Sequence, residues 1–461
     1  MAPADNDLAV IVLAAGQGTR MKSALPKVLH AVGGRPLIGH IAAELAELGA
    51  ARIVLVVGPG MDGVEAAARA AAPGVRIESV VQVERLGTGH AALQARSALA
   101  DFRGDIIVAL GDAPFVSAGT FARLRSGLRD RSRPAVCVLG VRLDDPAMFG
   151  RMVAGAEGAL ERIVEAKDAS AAEREIKLVN TGVMAFSGEG FFDLLSRIEP
   201  ANAQKEYYLT DAVALARQAG RAALAVEGSS AEWLAANDRV ELAALEQVFQ
   251  QRMRRKAMLA GVTLVDPASV WFSFDTQIAA DSIIHPCVQF GPGVRIGRNV
   301  TIKGFCHIEG AEVADGAAIG PFARLRPGAA IGSEAHIGNF VEIKNASVEV
   351  GAKVNHLAYI GDARVGAGAN IGAGTITCNY DGFEKFHTDI GAGAFIGSNS
   401  ALVAPVNIGN GALVGAGSVV TADVPADALV VVRGVPATKP GWAMTFRERR
   451  NAEKAARKKG S

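Results

Sequence analysis

Cysteine is scarce in this chain, and the few present do not pair. Cys137, Cys287, Cys306 and Cys378 are scattered through 461 residues, with no CxxC and no zinc-finger spacing. That excludes a disulfide framework and predicts reduced thiols in a cytoplasmic protein. Charge of one sign is also lacking: 48 Lys and Arg face 47 Asp and Glu, for a net charge of +1. Such a balance gives no support for general nucleic-acid binding. No apolar run is long enough for a transmembrane helix. The opening MAPADNDLAVIVLAAG has neither the basic n-region nor the apolar stretch of a signal peptide. What remains is a soluble chain too long for one ordinary core, so two or three domains are expected.

A repeat dominates the second half. Aliphatic residues recur every six positions at Ile284, Phe290, Ile296, Ile302 and Ile308, then at Ile319, Leu325, Ile331, Ile337 and Ile343. The beat resumes at Val348, Val354 and Ile360, and again from Ile390 through Ile396, Leu402, Ile408, Val414 and Val420. A small residue usually follows, as in Ile337-Gly338 and Ile396-Gly397. A period of six fits neither a helix nor hairpins, but it is the signature of a parallel β-helix with roughly 18 residues per turn. The aliphatic residue points into a narrow core, and the glycine is expected to let the chain turn each corner. The beat breaks at Thr377–Lys385, TCNYDGFEK, which reads as a loop projecting over a groove or a neighbouring subunit.

The first half alternates. Leu8–Ala14, Ile53–Val57, Ile106–Leu110 and Ala135–Leu139 read as strands, and Ile38–Leu48, His90–Leu99 and Thr120–Asp130 as helices. Continuous apolar strands separated by helices predict a doubly wound, Rossmann-like parallel sheet. Ligands of such sheets bind at the carboxyl ends of strands. The loop after the first strand, Leu13-Ala14-Ala15-Gly16-Gln17-Gly18-Thr19-Arg20-Met21 with Lys27 close behind, is neither G-x-G-x-x-G nor a P-loop. Its glycines still allow backbone amides to approach a phosphate, and Arg20 and Lys27 supply cations for a triphosphate. Gly111-Asp112 follows another strand and offers a carboxylate, a hard oxygen ligand suited to Mg²⁺. Arg239–Leu259 reads as one amphipathic helix with Leu245, Val248, Phe249 and Met253 on its apolar stripe, a spacer between domains. The expected division is 1–238, a helical linker 239–260, and a β-helix with its tail over 261–461. The basic end, RERRNAEKAARKK, is open between helix and disorder.

LAAGQGTRM with LPK resembles the signature of sugar-1-phosphate nucleotidyltransferases. Further strings fit the same family: Gln82 with LGTGHA, Phe149-Gly150-Arg151, IVEAKDA, VNTG, NAQKEYYLTD and AANDR. In the second half, FARLRPG, NFVEIKN, NHLAYIGD and NIGAGTITCNYDG join them. Together they resemble, over nearly the whole chain, the bacterial bifunctional N-acetylglucosamine-1-phosphate uridylyltransferase and glucosamine-1-phosphate acetyltransferase family. Leu110 departs from the aromatic residue expected before Gly-Asp.

The resemblance implies two activities serving cell-envelope precursor synthesis, and a left-handed β-helix that forms homotrimers. For uridylyl transfer it implies binding of UTP, N-acetylglucosamine 1-phosphate and Mg²⁺ by Leu13, Ala14, Ala15, Gly16, Lys27, Gln82, Gly87, Thr88, Gly111, Asp112, Gly150, Glu165, Asn180 and Asn237. Asp112 and Asn237 would hold the metal, and Arg20 and Lys27 would stabilise developing charge. For acetyl transfer it implies His356 as general base, since imidazole titrates near neutrality, with Glu342 as a candidate partner. Arg326, Lys344, Tyr359 and Asn370 would hold glucosamine 1-phosphate. Ala373, Asn379, Tyr380, Lys385, Ser398, Ala416 and Arg433 would line the acetyl-coenzyme A groove. One alternative is a single nucleotidyltransferase whose β-helix only trimerises or regulates. A zinc site on the β-helix is disfavoured because His285, His307, His336, His356 and His387 include no close pair.

Overall fold

A computed structural model describes residues 7–155, 159–434 and 437–459. The chain divides into two compact units, Met1–Arg255 with Phe272–Phe274, and Lys256–Trp271 with Asp275–Ser461.

The first unit is built on a nine-stranded sheet. Its strands are β1 (Leu8–Leu13), β2 (Arg52–Val57), β3 (Arg76–Val81), β4 (Asp105–Leu110), β5 (Val136–Arg142), β6 (Arg151–Ala154), β7 (Leu160–Val164), β8 (Leu178–Phe186) and β9 (Ala223–Glu227). Their order is β9-β5-β8-β4-β1-β2-β3, with the β6–β7 hairpin attached to β8. Alternation along β1 shows why its run is apolar throughout. Leu8, Val10 and Val12 enter the core on one face, and Ala9 and Ile11 the core on the other. The sheet departs from the wholly parallel expectation at β8, which runs antiparallel to both β4 and β5. Helices flank it at Leu37–Glu47, Gly63–Ala71, Thr88–Leu93 and Ala118–Gly127. The Ser117 hydroxyl caps the last of these by accepting from the Thr120 amide at 3.2 Å. The helix expected over His90–Leu99 starts earlier and tightens to a 3₁₀ turn at Gln94–Arg96.

The helix Arg239–Leu259 is more than a spacer. Leu245 and Phe249 are buried with Val32, Leu37, Phe115 and Ala236 of the first unit. Accordingly the division falls within this helix, after Arg255, rather than at its two ends.

The second unit is a β-helix of three parallel sheets with ten, eight and eight strands. Ile283 pairs with Thr301, Thr301 with Ala318, and Ala318 with His336, so each coil stacks on the one before. Every residue of the six-residue beat is buried; Ile302, Ile319, Val354 and Val414 are all at 0% exposure. The glycine after the beat avoids a Cβ clash. A Cβ on Gly338 would stand 1.9 Å from the Asn355 carbonyl oxygen, and one on Gly397 would stand 2.4 Å from the Ala416 amide nitrogen. Close approach of the next coil, not a left-handed turn, demands glycine there. Left-handed backbone at the corners falls instead to residues such as Phe305, Phe322, Phe340 and Leu357. One coil is enlarged: Asn370 pairs with Phe395 across the insertion. Ile376–Cys378 is still a strand of that coil, with Thr377 buried in the inward position. Its hydroxyl accepts from the Gly361 amide at 2.8 Å, which satisfies a polar group on the beat. The basic end forms a helix, Trp442–Lys459.

Candidate active sites

In the first unit a cleft of about 300 Å³ opens at the carboxyl ends of β1 and β4. Leu13, Ala14, Ala15 and Gly16 form one wall, Gln82, Gly87 and Thr88 another, and Lys27 and Asp112 the floor. The Lys27 ammonium donates to the Asp112 carboxylate and, at 3.2 Å, to the Asn237 carboxamide oxygen. The Asn237 amide group is itself held by Glu241, which accepts from its backbone and side chain at 2.6 and 2.9 Å. Residues far apart in sequence thus converge on one cation, the environment two hard oxygen donors make for a positive ion. Among the described residues, no three His, Cys, Asp or Glu side chains converge on a metal position.

Backbone geometry explains the glycines of LGTGHA. Gly87 has φ +110°, and a Cβ there would lie 2.6 Å from the Tyr207 carbonyl oxygen. Thr88 reaches the same segment, its hydroxyl accepting from the Leu209 amide at 3.0 Å. Gln82 is buried and donates to the Gly87 carbonyl at 3.3 Å, fixing the edge of the cleft. Gly111 donates to the Leu13 carbonyl at 3.0 Å and so joins the two strand-end loops.

The remaining expected residues stand apart from this lining. Arg20 is exposed on the turn Thr19–Met21. Gly150, Glu165 and Asn180 form a neighbouring group: the Asn180 amide donates to the Gly150 carbonyl at 2.8 Å. A Cβ on Gly150 would lie 3.2 Å from the Glu165 carboxylate oxygens. Burial raises the Glu165 pKa above the ordinary carboxylate value, and the Thr210 hydroxyl, at 3.4 Å, opposes that shift. The sequence reading missed Arg85 and Glu206 in the cleft wall. Arg85 donates to the Ala15 carbonyl at 2.8 Å, a contact no local pattern announces.

The second unit carries a cleft of about 320 Å³ along one corner of the β-helix, walled by Phe322, Phe340, His336, Asn339 and His356. His356 ends the strand Lys353–His356, and its Nδ1 meets the Asn339 Oδ1 at 2.6 Å. Glu342 is not the partner of His356: its carboxylate accepts from Arg326 at 2.8 Å. Strand register explains why, since Glu342 lies beside Arg324 and Tyr359, and Asn339 lies beside His356. Lys344 is drawn to lower pKa first by its contact with Lys385 and that residue's charge, and then by Arg326. Three cations thus gather on one side, with Tyr359 in register alongside. Asn370 lies in the next coil, paired with Lys353 and Phe395.

The residues expected at the coenzyme fall on consecutive coils. The Asn399 amide donates to the Ala373 carbonyl at 2.7 Å and the Gly417 amide to the Ser398 carbonyl at 2.8 Å. Arg433 donates to the Ala416 carbonyl at 2.9 Å. Asn379 is buried and donates to Asp362, whereas the Tyr380 hydroxyl folds back to the Gly382 carbonyl at 2.6 Å inside the inserted loop. Cys378 next to it is a half-buried free thiol.

Comparison with known proteins agrees with this layout. Residues 10–177 match the MobA-like NTP transferase domain, 275–310 the bacterial transferase hexapeptide repeat, and 388–422 the hexapeptide repeat of succinyl-transferase. The bifunctional protein GlmU of Paramagnetospirillum magneticum is 56% identical over 452 residues, 98% of this chain and 99% of that one. GlmU of Rhodospirillum rubrum is 57% identical over 439 residues, covering 95% and 97% of the two chains. GlmU of Xanthobacter autotrophicus is 51% identical over 450 residues, covering 98% and 99%. With identity of 51–57% sustained over 95–98% of its length, the chain belongs to the family of bifunctional GlmU proteins.

Proposed function

We propose that the two units carry out successive steps in making UDP-N-acetylglucosamine. The chain is a bifunctional transferase, a nucleotidyltransferase joined to a hexapeptide-repeat acetyltransferase. The second unit transfers acetyl from acetyl-coenzyme A to glucosamine 1-phosphate. The first then couples N-acetylglucosamine 1-phosphate to UTP and releases pyrophosphate. One observation carries the nucleotidyl half: the glycine loop, Lys27, Asp112 and Asn237 meet in or at a single strand-end cleft.

In the uridylyl reaction the sugar phosphate oxygen attacks the α-phosphorus of UTP in line, without a covalent intermediate. Amides of Ala14–Gly16 and the Lys27 and Arg20 cations face the phosphates. Gln82, Gly87 and Thr88 hold the base, and Gly150, Glu165 and Asn180 hold the sugar. Asp112 and Asn237 suit Mg²⁺, because their oxygens already converge on the Lys27 ammonium. Asp112 and Asn237 would hold Mg²⁺, which would supply positive charge against the phosphates of UTP.

In the acetyl reaction His356 takes a proton from the sugar amine as the nitrogen–carbon bond forms and the thioester carbon–sulfur bond breaks. Arg326 and Lys344 receive the sugar phosphate, with Tyr359 and Asn370 beside it. Ala373, Asn379, Tyr380, Lys385, Ser398, Ala416 and Arg433 line the coenzyme groove. A homotrimer is supported by the stacked Phe305, Phe322 and Phe340, which are 59%, 45% and 55% exposed on one corner. A column of aromatics open to water is a surface that a second copy covers. A cytoplasmic location fits the free thiols and the fact that no described helix is long and apolar enough to cross a membrane.

An omission assay tests the assignment. Glucosamine 1-phosphate, acetyl-coenzyme A, UTP and Mg²⁺ are supplied together, then with one left out. Free thiol must appear without UTP, and pyrophosphate only when both donors are present. Pyrophosphate from glucosamine 1-phosphate and UTP alone, at the full rate, would sink the proposed order. His356→Ala that retains full acetyl transfer would sink the role of the base.

A further inference from the structure

His356 cannot act as a base unless the nitrogen facing the amine is bare. A neutral imidazole carries its proton on one nitrogen only, and a hydrogen bond at the other end of the ring decides which. In this β-helix the side chain at one end of the His356 ring is that of Asn339. Parallel register sets Asn339 beside His356 on the preceding coil. The two side chains meet at 2.6 Å, Nδ1 to Oδ1.

Three features hold that meeting in place. The Leu357 amide donates to the Asn339 carbonyl at 3.0 Å, and the Gly374 amide to the His356 carbonyl at 3.2 Å, so the neighbouring coils are pinned on both sides. At Gly338, the residue before Asn339, the coils lie so close that a Cβ would stand 1.9 Å from the Asn355 oxygen. The carboxylate that could have competed, Glu342, is engaged by Arg326 at 2.8 Å. Asn339 and His356 then open together into one cleft, which Phe322 and Phe340 also line.

We propose that Asn339 is the positioning residue of the acetyl-transfer site: its Oδ1 accepts the Nδ1–H of His356, so that Nε2 stands unprotonated toward the sugar amine. This rests on the acetyltransferase reading of the second unit. In the step itself Nε2 takes the proton that the amine loses on attacking the thioester carbonyl. The carbon–sulfur bond breaks, and the departing coenzyme A thiolate takes the proton from the imidazolium. A carboxamide fixes the tautomer without adding negative charge beside a substrate that carries a phosphate. An aspartate at the same place would fix the tautomer too, but at the cost of that repulsion.

The experiment uses the full chain. ¹⁵N-histidine NMR of the parent protein reads the tautomer, with the His356 signal identified by its loss in His356→Gln. The expected result is protonated Nδ1 and bare Nε2. A proton on Nε2, with the Asn339 amide donating instead, overturns the proposal and needs no variant that must fold. In parallel, Asn339→Ala is expected to lower kcat for acetyl transfer by about 10- to 100-fold, with KM for glucosamine 1-phosphate changed by less than about twofold. Asn339→Asp is expected to restore the Nδ1–H tautomer and part of kcat, while raising KM for the sugar phosphate. Uridylyl transfer in the same samples stays at the parental rate. A parent that releases no thiol from acetyl-coenzyme A overturns the acetyltransferase reading. An active parent whose kcat survives Asn339→Ala overturns the role of Asn339 alone.

Discussion

Replacing Arg151 by methionine removes a buried cation that has carbonyl partners but, among the described residues, no counter-ion. Arg151 is 3% exposed. Its guanidinium donates to the Arg174 carbonyl at 3.3 Å, to the Ala147 carbonyl at 3.1 Å and to the Phe149 carbonyl. Among the described residues no Asp or Glu forms an ion pair with it. It therefore ties the loop that ends in Gly150 to the short helix Ala171–Arg174. Each hydrogen bond to a charged group contributes about 1.5–3 kcal/mol, and four are lost, counting a long one to the Pro146 carbonyl at 3.5 Å. Removing the charge recovers several kcal/mol of desolvation. The difference leaves a net loss of about 2–4 kcal/mol, felt locally. Hydrogen exchange over residues 146–186 measures it: a loss of that size accelerates exchange about 30- to 1,000-fold, at about 1.4 kcal/mol per factor of ten. Because the Gly150 carbonyl accepts from Asn180 at 2.8 Å, KM for the sugar phosphate is expected to rise about tenfold. Acetyl transfer serves as the internal control and stays unchanged. Parental exchange rates together with a parental KM would refute the reasoning.

Lys27→Ala is expected to lower pyrophosphate release about 10²- to 10³-fold, the usual effect of losing one charge-stabilising donor, with thiol release from acetyl-coenzyme A unchanged. Gly87→Ala puts a side chain at φ +110° and 2.6 Å from the Tyr207 carbonyl oxygen; calorimetric titration with UTP should show affinity lower by about 1–3 kcal/mol. Burial raises the Glu165 pKa, so the folded state loses stability relative to the unfolded chain as pH rises from the ordinary 4.5 through the folded value. Urea unfolding at pH 7 should therefore find Glu165→Gln more stable than the parent even as its KM for the sugar rises, and the stability difference should vanish below pH 4.5. Ile337→Ala opens the β-helix core at a residue 1% exposed; a cost of about 2–5 kcal/mol should abolish acetyl transfer on warming before uridylyl transfer fails.

Much of the fold was legible because its signals are local. The six-residue beat needs only one apolar position per face of a coil, and every residue on it is buried. The strands β1, β2, β4 and β5 announced themselves as apolar runs because both faces of the sheet are covered. The strand β8 did not. Its VNTG segment reads as a ligand motif, and its antiparallel pairing with β4 and β5 depends on partners distant in the chain. The helix Gly63–Ala71 is rich in alanine and carries too narrow an apolar stripe to stand out.

The sequence by itself determined the two architectures and the two sets of motifs, since periodicity and glycine-rich loops are written in consecutive residues. Only the tertiary structure decided which of those residues touch. Lys27 reaches Asp112 and Asn237 across separations of 85 and 210 positions. Glu342 goes to Arg326 and Asn339 to His356, 16 and 17 positions apart, because neighbours on a β-helix are set by the length of the intervening coil. Coils of 18 and of 17 residues both keep the beat inward, as Ile284 beside Ile302 and Ile308 beside Leu325 show, so coil length decides which polar side chains meet. Chemistry at the second site therefore depends on a register that no stretch of sequence displays until the coils are stacked.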